Sequence, residues 1–266
     1  MTRLRNLGVA PSAAVLVLAG TAALAPSVFS PADPLRGDLA ERLRPPEALH
    51  PFGTDELGRD LLARIVHGAA PSLQAAVLAV AIAVLAGAAL GLVAGTTRGF
   101  VDDVIMRAVE VLLAVPSFLL VLGVIAVLGP GTSNVAVAVG LSSSAVFARI
   151  TRAEVIRVSK AGYVEAAVVC GTSRPTVLLT HVLPNAASPI VALATLELGN
   201  AILTVAAVSF LGFGAPLPEP EWGSMIAAGR PFLASAWWLT TVPGLVIVAV
   251  VLAANHLGHI LRSETR

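Results

Sequence analysis

Long apolar stretches separated by short charged segments dominate the chain. Runs free of Asp, Glu, Lys and Arg extend from Asn6 to Ala32, from Ala69 to Thr97 and from Val111 to Ala148. A helix needs about 20 apolar residues to cross a hydrocarbon core, so the third run is too long for one crossing. Gly129-Pro130-Gly131 divides it into two spans joined by a tight hairpin. A fifth apolar segment, Ala187 to Leu211, holds one charge at Glu197, and a sixth runs from Pro231 to Leu261 with only His256 and His259 near its end. The pattern predicts six membrane-spanning helices.

Composition agrees with that reading. Of 266 residues, 56% are hydrophobic and 12% charged, where soluble domains run nearer half apolar and a quarter charged. Intrinsic disorder is excluded for the same reason, because it requires low hydrophobicity and high net charge. A single cysteine excludes a disulfide framework and any CxxC-type metal site, and a net charge of +1 leaves no basic excess for holding nucleic acid. Arg3 and Arg5 before an apolar stretch ending in Ala23-Leu24-Ala25 resemble a cleavable signal segment. We read that stretch instead as a retained first span.

Lys and Arg set the orientation. With the N-terminus inside, eleven of the 17 basic residues fall in inner segments, among them Arg98, Arg107, Arg149, Arg152, Arg157, Lys160 and Arg174. The longest outer segment, Pro31 to Arg64, balances its arginines with acids such as Asp33, Glu41, Asp55 and Asp60. Both termini are therefore expected on the cytoplasmic side.

One inner loop is longer than a plain bundle needs. Glu165 through Cys170 are mostly good helix formers, Gly171 sits where a helix ends in the left-handed cap conformation, and Ser173 with Pro175 suits the start of a second helix. Pro184 is expected to break or bend the chain before the next span. A short helix, a sharp turn and a second helix outside the bilayer follow, with small residues Ala166 and Ala167 allowing another protein to approach closely.

Glu165-Ala166-Ala167, Gly171 four residues later and Leu183-Pro184 beyond it closely resemble the EAA loop of ATP-binding-cassette importer permeases. More of the chain carries the likeness. His50-Pro51-Phe52-Gly53-Thr54-Asp55-Glu56-Leu57-Gly58-Arg59-Asp60, then Arg64 and His67-Gly68, is similar to the segment before the second span in dipeptide, oligopeptide and nickel permeases. Asp103, Met106-Arg107 and Pro116, Ser209 through Gly214, Pro220 through Gly223, Pro243-Gly244-Leu245 and Asn255 through Gly258 match further landmarks of the C-type, second permease subunit. Glu110 stands where that family commonly has Asp, and His259 with a short Arg262-Ser263-Glu264 tail replaces its usual acidic ending.

The resemblance implies a six-helix, type I ABC importer permease in the bacterial cytoplasmic membrane. Residues 1–68 then form the first helix and the extracytoplasmic segment. Residues 69–262 form the core permease domain, with the EAA loop at 151–185. Glu165, Ala166, Ala167, Gly171, Leu183 and Pro184 become the residues that couple to the ATPase. The implied partners are a second homologous permease, one or two ABC ATPase subunits carrying ATP and Mg, an extracytoplasmic substrate-binding protein and the lipid bilayer. No cofactor is assigned to this chain. Peptides are the implied cargo, with nickel or a nickel chelate as the alternative.

Individual polar residues remain open to two readings. Asp55, Arg59, Asp60 and Arg64 either pair locally, fixing a short interfacial helix with Gly53 and Gly58 turning the chain, or meet a delivery protein. No Gly-Lys-Ser/Thr ending supports a nucleotide loop there. Glu197 inside a span is either a pathway wall or proton relay, or lies within a turn of the cytoplasmic side and bonds to Asn200. Arg107 and Glu110 are spaced to pair on one helix face. Trp222, Trp237 and Trp238 read as interfacial aromatics, Cys170 as a small packing residue, and Gly87, Gly91 and Gly95 as a stripe for close helix contact. His256 and His259 read as a polar helix end rather than a metal set. A stand-alone secondary transporter would need inverted repeats or several intramembrane ionisable groups. An intramembrane enzyme would need HExxH, GxSxG or paired acids within spans. The sequence has none of these.

Overall fold

The computed structural model describes residues 8–97, 99–216 and 218–264; Arg3, Arg5, Asn6, Arg98 and Arg266 lie outside the described residues. Nine helices cover most of these: α1 (Val9–Leu24), α2 (Leu61–Thr97), α3 (Phe100–Ala114), α4 (Ser117–Leu128), α5 (Thr132–Ser159), α6 (Gly162–Val169), α7 (Arg174–Phe213), α8 (Trp222–Gly229) and α9 (Trp238–Glu264). Short 3-10 turns and two isolated β-bridges fill the connections.

Each apolar run of the sequence is helical, but the runs differ in form. α2, α5, α7 and α9 are each long and apolar enough to cross a membrane. α1 has 16 residues, short of the usual crossing length. The third run is not a straight span, because α3 and α4 meet at 99°. Proline explains the bend. Val115 is driven into the extended region (φ −88°, ψ 133°) by the ring of Pro116, which itself cannot donate to the helical ladder.

Glycines set how closely α2 and α5 approach. A Cβ on Gly91 would strike the Ala148 carbonyl and stand 2.7 Å from Thr151 Cβ, while one on Gly95 would stand 2.8 Å from Val155 Cγ1. From the other side, a Cβ on Gly140 of α5 would stand 2.6 Å from the Ala79 carbonyl oxygen. Residue numbers rise together along both helices, so α2 and α5 run parallel. The chain between them therefore has to return along the bundle, which is the path the bent α3–α4 pair takes. Asp102 in the first turn of α3 and Arg152 of α5 fasten that return with two charge-assisted bonds of 2.5 and 2.6 Å. α7 and α9 are antiparallel, since Gly199 packs on Asn255 and Gly258 on Thr195 and Leu196. Gly8, just before α1, lies against His256 near the end of α9. The described ends of the chain thus share one end of the bundle.

At the opposite end, two tryptophans serve inside the protein rather than at a lipid interface. Trp222 is 2% exposed and donates from Nε1 to the Ile65 carbonyl at 2.9 Å. Trp238 is 5% exposed and donates to the Thr54 carbonyl at 3.1 Å. Only Trp237, half exposed, retains the position of an interfacial aromatic. The indole N–H explains the difference, because a buried one requires an acceptor and both tryptophans find a backbone carbonyl. Cys170 is exposed rather than packed.

Candidate functional site

The end of the bundle that carries the long loop between α5 and α7 has a single-sided helix. α6 is anchored by Val164, buried among Val155, Val158, Val177 and Val182. Its remaining surface is open: Glu165 and Ala166 are exposed, as are Tyr163, Val168 and, at 87%, Val169. Ala167 is half-buried and Tyr163 meets the His181 ring edge-on at 6.3 Å. The helix closes with a Schellman turn. Gly171 N–H donates to the Val168 carbonyl at 3.0 Å, and Thr172 N–H to the Ala167 carbonyl at 3.1 Å. The turn needs Gly171 at φ +89°, and no atom lies within 4 Å of where its Cβ would be. Backbone conformation alone, without crowding, therefore selects glycine here.

The second helix of the loop is not a separate element. Ser173 caps it, its hydroxyl sharing a 2.8 Å bond with Thr176 Oγ1, and Pro175 occupies its first turn. From Arg174 it continues without a non-helical residue to Leu211, and Gly212 (φ +94°) kinks the chain just before Phe213. Pro184 does not interrupt it, because Leu178–Val182 adopts the wider π winding just ahead of the proline. Such a local adjustment absorbs a proline that regular α winding would reject. Leu183 and Pro184 are thus inside one rod that joins the Gly171 turn to the membrane.

Glu197 stands on that rod about 21 Å beyond Leu183 at 1.5 Å per residue, several turns from either end. Asn200 Nδ2 donates to its Oε2 at 3.3 Å, and Ser143 of α5 donates to Oε1 at 2.7 Å. Glu197, Asn200, Ser142, Ser143 and Pro116 line a cleft of about 570 Å³ opened by the α3–α4 bend. Ser143 and the bend are absent from a reading by spans, since the run Ser142-Ser143-Ser144 does not say which hydroxyl meets Glu197 until the opposing helix is known.

The segment between α1 and α2 is a folded ion-pair cluster, not an interfacial helix. Gly53 (φ +79°) and Gly58 (φ +71°) turn the chain, and the helix begins only at Leu61. Asp55 is 3% exposed and accepts from Arg59 Nε at 2.6 Å, with Arg64 Nε at 3.4 Å. Arg59 is 4% exposed and reaches Glu56 as well. Buried pairs need such additional bonds to offset desolvation. Asp60 caps the start of α2 through the Ala63 N–H at 2.8 Å. Arg107 and Glu110 pair as spaced, 3.7 Å apart and exposed. Glu221, fully buried, was not singled out as a site by sequence; it caps α8 by accepting from the backbone of Gly223 and Ser224, each at 2.9 Å. Among the described residues, no three His, Cys, Asp or Glu side chains converge as a metal site.

His50 bridges Asp60 at 3.0 Å and Glu41 at 3.1 Å. The Asp60 hydrogen bond, aided by Glu41, raises its pKa above the ordinary value. A raised folded pKa means the bridge contributes fully below about pH 6.5 and loses its contribution as pH rises through the folded value. Hydrogen exchange at the Gly53 and Thr54 amides is expected to accelerate as pH rises above about 6.5, beyond its intrinsic base-catalysed increase. His50→Gln removes that extra pH dependence; an unchanged profile in the variant contradicts the assignment.

The architecture is an apolar helical bundle with an exposed short helix at one end and a polar cleft within it, and similarity to known proteins gives its class, a membrane transport permease. The sequence model of the family described as "Binding-protein-dependent transport system inner membrane component" matches residues 87–264, and the chain belongs to that family. It is 42% identical to the dipeptide transport system permease protein DppC of Alkalihalophilus pseudofirmus, over 84% of this chain and 73% of that one. Identity is also 42% to the di/tripeptide transport system permease protein DppC of Pseudomonas aeruginosa, over 79% and 70%. The glutathione transport system permease protein GsiD of Pectobacterium atrosepticum is 40% identical over 82% and 72%. Among solved structures, an amino acid ABC transporter with histidines aligns at a TM-score of 0.61 and 20% identity, covering 76% of this chain and 94% of that one. The inward-facing MetNI methionine ABC transporter aligns at 0.62 and 16%, covering 76% and 97%. The protein is thus a multi-pass inner-membrane permease subunit of an ABC importer.

Proposed function

We propose that this subunit pairs with a second homologous permease to carry di- and oligopeptides inward, driven by ATP hydrolysed with Mg on partner ATPase subunits. The observation that carries the coupling half of this reading is the exposed α6 surface joined by the Gly171 turn to α7, which runs without a non-helical residue from Arg174 past Glu197 to Leu211. Closure of the ATPases on ATP moves Glu165, Ala166 and Ala167, and the rod transmits that movement past Leu183 and Pro184 to the cleft. Each ligand shifts the inward–outward equilibrium only by its differential affinity for the two states. An extracytoplasmic binding protein delivers cargo to the opposite end. The names of the relatives favour peptides over nickel.

Purification in mild detergent is expected to bring down one further permease and an ABC ATPase. The complex reconstituted in vesicles with its binding protein is expected to accumulate alanyl-alanine only with ATP. Isolation of the chain alone at every detergent strength, or uptake without ATP, contradicts the reading.

A further inference from the structure

The cleft beside Glu197 has a composition suited to one kind of cargo group. None of its lining residues is Lys, Arg or His, and Glu197 is its only charge. An ionised carboxylate at membrane depth is costly unless it is paired or hydrated. Ser143 and Asn200 each give Glu197 one hydrogen bond, whereas a carboxylate has about four acceptor positions. Acceptor capacity is therefore left over, facing open space.

The cleft holds further acceptors besides Glu197. The last turn of α3 ends at the bend, where final carbonyls have no intrahelical donor, and Leu112, Leu113 and Ala114 line the cleft there. Ser142 spends its hydroxyl proton on the Ser117 carbonyl at 3.2 Å, and Thr204 spends its own on the Asn200 carbonyl at 2.8 Å. Irregular backbone at membrane depth persists where it is buried in protein or lines a water-filled cavity. The cleft thus offers one carboxylate among neutral polar groups in a space of about 570 Å³, within the range of small-ligand sites.

We infer that Glu197, with Ser143 and Asn200 holding its orientation, is a transit subsite for the α-ammonium group of a peptide passing through the cleft. An ammonium brings three donors and one positive charge, matching the spare acceptor capacity and uncompensated charge of Glu197. One carboxylate without further acids suits a cargo that must also leave, since passage needs binding weak enough for release. Apolar lining such as Val139, Leu120 and Leu203 leaves room for variable side chains. The inference rests on the peptide-import reading above.

The test uses the complete reconstituted importer and alanyl-alanine. Glu197→Gln keeps the side chain's size and one of its two acceptor oxygens while removing the charge. It is expected to lower the maximal uptake rate at least tenfold, with unchanged half-saturation for loaded binding protein and intact co-purification of the other subunits. Glu197→Asp, which keeps the charge, is expected to stay within threefold of the unsubstituted complex. Near-normal uptake by the glutamine variant overturns the inference, as does equal impairment of both variants. Loss of the second permease on purification of the glutamine variant also overturns it, by assigning Glu197 to the subunit interface. Failure of the unsubstituted complex to import alanyl-alanine removes the peptide reading itself, a separate result.

Discussion

Replacing Gly171 by valine is expected to abolish substrate-stimulated ATP hydrolysis while the complex still assembles. The residue lies at φ +89° with open space around its Cβ position, so a side chain meets no neighbour. The cost is conformational, of order 1–3 kcal/mol for a non-glycine residue held in such a region, and greatest for a β-branched one. α6 has little to resist it, being anchored mainly by Val164. The turn is therefore expected to open, parting α6 from the rod of α7. Gly171→Ala is expected to be intermediate and Gly171→Asn milder still, because Asn tolerates positive φ. Stimulated and basal ATPase rates of the purified complex give the readout. Equal stimulation in the valine variant and the parent removes Gly171 from the coupling path.

Gly91→Val is expected to prevent folding rather than coupling. Its Cβ would collide with the Ala148 carbonyl and the Thr151 side chain, and a backbone carbonyl in a parallel helix cannot move aside alone. The penalty should exceed the ~1–3 kcal/mol of ordinary overpacking, since α2 and α5 would have to separate along their shared length. Gly123→Val in α4, where nothing lies within 4 Å, supplies the contrast. Recovery of monodisperse protein in detergent and its thermal midpoint should fall sharply for Gly91→Val and little for Gly123→Val. Similar behaviour of the two variants contradicts the packing account.

These contrasts separate two kinds of glycine that look alike in sequence. The every-fourth-residue spacing of Gly87, Gly91 and Gly95 announced a close helix contact but not its partner. Gly171 was legible because its neighbours, a short helix before and Ser173 with Pro175 after, specify a turn. Glu165, Ala166 and Ala167 were legible as a helix, and the structure leaves that helix exposed. Pro184 misled, because a proline preceded by a π turn does not end a helix, and the π turn has no sequence mark of its own. Trp222 and Trp238 misled for a related reason: an aromatic near a span end is read as an anchor until the carbonyl that accepts its N–H is found.

The chain by itself determined that the protein lives in lipid, where its apolar runs lie, where the inner loop turns and which family it resembles. The first three follow from local composition, periodicity and spacing, and the last is a resemblance of motifs. Tertiary structure alone decided that α2 and α5 run parallel, that Pro116 opens a cleft, that Ser143 reaches Glu197 across 54 positions and that Asp102, rather than Asp103, holds Arg152. Each of these depends on a partner distant in sequence. An apolar helix presents similar hydrophobicity on every side, so the sequence can mark its length while packing chooses its neighbours.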